Sequence, residues 1–145
     1  SVTSPLEYEG LNEAIQSLEI PVLAIGSGTF HLVNAHAENT IYPIFPHEKH
    51  SCYCFSQSNN DLLKNFPKKV KLEQVISYRA PLAHEKIQNL SQQGEIFQIQ
   101  NTHNYGISFI PKITHPHDAT SVIMHNFIKI AMRERKNNKV KIPQL

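Results

Sequence analysis

The segment His47-Glu48-Lys49-His50-Ser51-Cys52-Tyr53-Cys54 gathers the residue types that bind zinc, because imidazole nitrogen and thiolate sulfur are that ion's usual ligands. Its spacing argues against a site. Structural zinc sites put about two to four residues between paired cysteines, whereas one residue separates Cys52 from Cys54. On a strand, alternate Cys side chains instead pack as small apolar groups. Cys52 and His103 are the other pair that could do chemistry, as nucleophile and base. Prolines and an extended run surround the thiol, so no helix N-terminus stands behind it to hold a thiolate. Gly26-Ser27-Gly28 lacks the third glycine and the following lysine of a phosphate loop. His115-Pro116-His117-Asp118 has the composition of a ligand cluster, but between two extended runs it is a turn. These residues predict no catalytic group, no metal and no cofactor, and leave a zinc-binding or thiol-enzyme domain as the weakest alternative.

The elements that would carry them are uneven in clarity. Ser4-Pro5-Leu6-Glu7 has the form of a capping box, and Tyr8, Leu11, Ile15 and Leu18 then fall on one helical face that Ile20-Pro21 ends. Pro21 to Ile25, the turn Gly26-Ser27-Gly28 and Thr29 to Val33 predict a hairpin. Pro43, Pro46 and Pro67 then allow only short elements. Lys71 to Leu90 shows helical periodicity through Leu72, Val75, Ile76, Ala83 and Ile87, broken at Ala80-Pro81 and closed by Gly94. Two extended runs follow, Glu95–Gln100 and Tyr105–Ile113, joined by the turn at residues 101–104. Val122 to Ile130 fits a helix through Ala119, Ile123, Phe127 and Ile130, yet its β-branched content favours a strand. The sum is an α+β chain with a five-stranded antiparallel sheet.

A length of 145 residues, 40% of them apolar, suits one domain with one core. The formal charge of +2 excludes a polybasic nucleic-acid binder, but it is unevenly spread: residues 129–141 carry +5 and the remainder −3. No apolar run reaches the roughly 20 residues of a membrane span, and the N-terminus has no export signal. Two cysteines, poorly spaced for a disulfide, suggest a reducing, cytoplasmic setting. The missing initiator Met and the ending KVKIPQL suggest a piece of a longer protein.

Pro21-Val22-Leu23-Ala24-Ile25, Gly28, and Phe30-His31-Leu32-Val33-Asn34-Ala35-His36-Ala37-Glu38 resemble the opening hairpin and helix entry of PAS domains. Phe97 to Asn101 and Tyr105 to Phe109, with the leading helix Leu11 to Gln16, are similar to the TraJ-type activators of conjugative-transfer genes on plasmids. The resemblance implies a PAS-like five-stranded antiparallel sheet with helices on one face and an N-terminal helix. It divides the chain into a dimerisation helix at 1–20, a PAS-like domain at 21–130 and a basic connector at 131–145. It also implies a homodimeric, non-enzymatic regulatory domain of a transcription activator, with DNA contacted by a domain beyond residue 145. A small-ligand or cofactor-sensing PAS domain is the alternative. Ser51 to Gln57 lacks the Asn and Arg of the flavin-photoreactive subclass, and Glu85-Lys86 beside His84 disfavours the haem-binding one.

The expected dimer interface is Tyr8, Leu11, Ile15 and Leu18. The expected pocket between sheet and helices is lined by Leu23, Ile25, Leu32, Ile76, Phe97, Ile107, Phe109 and Ile123, with His84 at its rim and its ligand unknown.

Overall fold

The structure, a computed structural model, describes residues 9–37, 42–43, 52–57, 59–73 and 78–141. In chain order the elements are α1 (Glu9–Ser17), β1 (Val22–Ile25), α2 (Gly28–Ala37), β2 (Tyr42–Pro43), β3 (Cys52–Phe55), a 3-10 turn at Asp61–Leu63, β4 (Lys69–Leu72), β5 (Tyr78–Arg79), β6 (Ile87–Asn89), β7 (Ile96–Ile99), β8 (Asn104–Ile107) and α3 (Ser121–Lys141). The central sheet has the order β1-β8-β7-β6, with β1 parallel to β8 and the other pairs antiparallel. Among the described residues the other strands form two-stranded ribbons, β2-β5 and β3-β4.

This is a mixed α/β sheet and not a five-stranded antiparallel PAS sheet. Three segments depart from the sequence expectation, each for a physical reason. Thr29 to Val33 is the start of α2 and no second hairpin strand: Leu32, Val33, Asn34 and Ala35 are buried in succession, with Thr29 and Ala37, which is a helix enclosed on most sides and not the alternation of a half-buried strand. Val122 to Ile130 lies in α3: Ile123, Asn126 and Ile130 are buried with Phe127 packed beside them, so tertiary burial overrides the β-branched content. Lys71 to Leu90 holds the end of β4, then β5 and β6, and no described helix. In β4, Val70 and Leu72 are buried while Lys69 and Lys71 are exposed, a period of two that the following residues obscured. The first extended run and the turn after it stand close to where the sequence put them, with Asn101 left-handed at φ 61°, but the second, expected over residues 105–113, is a strand only at Asn104–Ile107 and leaves the sheet before Ser108.

The sheet is apolar on both faces. Along β1, Leu23 and Ile25 pack with Tyr105, Ile107, Phe109 and Ile123 beneath α3, while Val22 and Ala24 pack with Leu32, Val33, Phe97 and Ile99 beneath α1 and α2. Phe97 is paired in register with Gly106, and a Cβ on Gly106 would lie 2.1 Å from the Phe97 ring. Only glycine lets that ring approach β8 so closely. The α1 stripe is partly spent within the chain, since Ile15 packs in the second cluster and Gln16 Nε2 donates to Ala35 O of α2. Leu11 and Leu18 stay exposed, and Tyr8 lies outside the described residues. α3 runs through residue 131 without a break. Among the described residues no helix is long and apolar enough to cross a membrane.

Candidate functional site

In an α/β sheet the crevice beyond the carboxyl ends of parallel strands is where ligands bind. Here that edge is formed by β1 and β8, which end together at Ile25 and Ile107. The ladder continues one step further, as Gly26 N–H donates to Ile107 O at 2.8 Å. The chain then turns sharply into α2. Gly26 has φ +57°, Thr29 N–H donates to Gly26 O at 3.1 Å, and Thr29 Oγ1 donates to the same oxygen at 2.7 Å. A strand, a one-residue left-handed turn and a helix make an elbow, the geometry that in hydrolases lifts a nucleophile above the sheet.

In this chain the elbow carries no side chain. A Cβ built on Gly26 would meet only Ile110 Cγ1, at 3.9 Å, an ordinary contact, so there is room for a side chain that the sequence does not supply. A nucleophile needs a base within hydrogen-bond reach, and the residue facing this point is Ile110, which is 64% exposed and has no proton to give or take. Ser27, next to it, is exposed.

The segment carrying Ile110 is firmly held. Ser108 N–H donates to Glu95 O at 2.9 Å, and Lys112 N–H to Thr120 Oγ1 at 3.0 Å. Asp118 Oδ1 in turn accepts from Thr120 N at 2.8 Å and Thr120 Oγ1 at 2.6 Å, just before α3 begins. These bonds, chiefly that from the Thr120 hydroxyl, hold the Asp118 carboxyl below the usual carboxylate range. So His115 to Asp118 is the turn its composition suggested, and its chemistry is that of a clasp on the loop.

Neither cysteine supplies the elbow. Cys54 is fully buried on β3 in the α3-side core, which makes it a packing group as the alternation of strand side chains implies. Cys52 pairs with Leu72 in the same separate ribbon, and His103 sits in the β7–β8 turn, where its Nε2 lies 3.2 Å from Glu134 Oε1. His47 and His50 lie outside the described residues, as does Ile76. His84 forms a bridge and a turn with Ile87, its Nδ1 accepting from Lys86 N, and is not on a helix.

The side chains expected to line one pocket are divided by the sheet. Leu23, Ile25, Ile107, Phe109 and Ile123 belong to the α3 side, and Leu32 and Phe97 to the α1–α2 side. A polar concavity of about 600 Å³ lies beyond the ribbon and includes Ser56, Gln57, Asn60 and Lys68. Asn60 there is engaged in structure, donating to Gln98 Oε1 at 2.8 Å and accepting from Leu62 N at 3.0 Å. The elbow itself was missed in the sequence. Its local pattern, a short apolar run followed by Gly26-Ser27-Gly28, suits a hairpin turn as well as a strand-to-helix elbow.

No protein-family model and no curated protein matches the sequence. Solved structures do match. A protein from Thermoplasma acidophilum assigned as one of the subunits of GMP synthase superimposes with a TM-score of 0.76 at 16% identity, covering 92% of this chain and 69% of that one. A glutamine amidotransferase from Thermotoga maritima gives 0.58 at 18% identity, covering 97% and 63%. A third structure, SMU.1228c, gives 0.61 at 12%, covering 90% and 71%. The chain thus spans roughly two thirds of the length of each, and at these identities the likeness establishes the fold. It overturns the PAS and TraJ resemblance, and with it the inference of a conjugative-transfer activator. The expectation of a non-enzymatic domain is contradicted too, since the first two structures bear the names of enzymes. The PAS-like motif misled because a strand followed by a glycine turn suits both readings, while Asn34-Ala35, matched to a helix entry, lies inside α2.

Proposed function

We propose that this chain is a glutamine-amidotransferase-type domain whose elbow recognises a small amide- or carboxylate-bearing ligand without a thiol of its own at that turn. One observation carries the reading: the left-handed elbow at the ends of β1 and β8 is intact and open, and its residue is Gly26 facing Ile110. The first two structural neighbours, one named for GMP synthase and one a glutamine amidotransferase, support the ligand class. Backbone N–H groups at a strand-to-helix turn suit a carboxylate or an amide oxygen. Attack on an amide carbon through a residue of the elbow requires a nucleophile and a base, and Gly26 and Ile110 are neither.

Titration of isotopically labelled protein with glutamine, followed through its backbone amide resonances, tests this. The expected result is saturable shifts at Gly26, Ser27, Gly28 and Ile110, reproduced more weakly by glutamate and absent with leucine. Shifts confined to the Ser56–Lys68 concavity, or none at tens of millimolar glutamine, the weak end of small-ligand affinities, would sink the reading.

A further inference from the structure

The outer face of α3 bears a concave apolar groove that the elbow does not use. Its volume is about 520 Å³, and Ile113, Met124 and Ile128 supply apolar surface while Lys64, His125 and Lys129 stand among them. Ile113 is 65% and Ile128 52% exposed. Met132, one turn beyond Ile128, is 66% exposed and extends the row, so residues 124, 128 and 132 recur every four positions along about 12 Å of helix. Single exposed aliphatics are common and need no account, but a row of them beside a groove marks an interaction surface. The protein has only two methionines, and both lie on this row. Unbranched, polarizable Met side chains are the ones that adapt to an incoming partner.

Charge selects the occupant. Among the described residues lining the groove there is no carboxylate, while Lys64 and Lys129 flank it and Arg135 and Lys136 lie exposed just beyond Met132. Arg133 and Glu134 are turned to other work, pairing with Asp61 at 3.1 Å and His103 at 3.2 Å. We propose that this groove docks an amphipathic helix of a partner protein, with apolar anchors at i and i+4 and acidic residues beside them. The concave shape favours a helix's side-chain knobs over a flat bilayer, and the shared positive sign disfavours an identical second copy. The proposal is independent of the elbow.

A display library of helical peptides about 14 residues long, roughly 21 Å of helix, provides the test on the full chain. Peptides enriched by the wild type should carry paired apolar residues at i, i+4 and a net negative charge. Ile128→Asp should weaken them by at least about tenfold, as loss of a central anchor does, and Lys64→Glu with Lys129→Glu should remove the acidic bias. Met132→Glu, at a more exposed site, repeats the first arm should Ile128→Asp lower the melting temperature. No enrichment, enrichment without charge bias, or binders indifferent to both apolar-site variants would overturn the proposal. So would Ile128-dependent binding to phosphatidylserine vesicles, or Ile128-dependent self-association in sedimentation, without peptide enrichment.

Discussion

His36, on the last turn of α2, shows how one side chain joins burial to pH. Its Nε2 lies 3.4 Å from Asn104 Nδ2, and burial, reinforced by Lys86, lowers its pKa from 6.5. The folded protein therefore prefers the neutral ring, which can accept from the amide. The unfolded chain takes up a proton first as pH falls, so the stabilisation present above 6.5 is lost as pH drops through the lowered folded value. Melting temperatures measured on both sides of that value should fall toward acid in the wild type, with a shallower slope in His36→Gln. An equal slope would deny His36 this role. Gly106 sets a second limit at the same scale. Since its Cβ would collide with the 1%-exposed Phe97 ring, Gly106→Ala should cost about 3 kcal/mol, the upper end for overpacking. Phe97→Ala alone should cost about 3–5 kcal/mol. Chemical denaturation of the double variant should give less than the sum, because without the ring the new methyl group has space.

α3 is the element on which the α3-side core depends, and Asn126 is its firmest side-chain tie. The Nδ2 group donates to Leu62 O at 2.8 Å and Lys64 O at 2.7 Å, fixing the 3-10 turn to the helix from a nearly buried position. Asn126→Ala strands two carbonyls and should cost about 1–3 kcal/mol. Arg133→Ala, which breaks the exposed pair with Asp61, should stay within about 1 kcal/mol. Equal losses by urea denaturation would show that the tie does not bear on stability as argued. How far such elements could be read from the sequence varied with how local their cause is. β7, the start of β8 and their turn were legible because alternation and an Asn-rich turn are short-range signals, whereas the apolar residues after Ile107 prolonged the second run past its end. α1 was legible at Leu11 and Ile15, while Leu18 falls just past its end and the expected capping box at residues 4–7 lies outside the described residues. α3 was not, because Ile and Val prefer strands until burial of Ile123 and Ile130 decides otherwise. The elbow was invisible for a related reason. A glycine turn before Thr29 can open a hairpin or a helix, and only the parallel pairing of β1 with β8, some 80 residues away in the chain, selects the helix. Of the expected pocket, the residues were correctly apolar, but a sheet buried on both faces divides them, which composition cannot show.

For the whole molecule, a fold shared with two structures named for enzymes carries a glycine, Gly26, at the strand-to-helix elbow beyond β1. The direct measurement is ammonia release from glutamine, read together with intact mass after exposure to a chloroketone analogue of glutamine. Gly26→Cys serves as the comparison, since a Cβ at this position meets only Ile110 at 3.9 Å and the positive φ adds about 1–2 kcal/mol of backbone strain. The wild type should release no ammonia above buffer and take up no label that glutamine competes away, while Gly26→Cys should acquire one further label in competition with glutamine. Glutamine turnover by the wild type, abolished by alkylation of Cys52 or Cys54, would contradict the account.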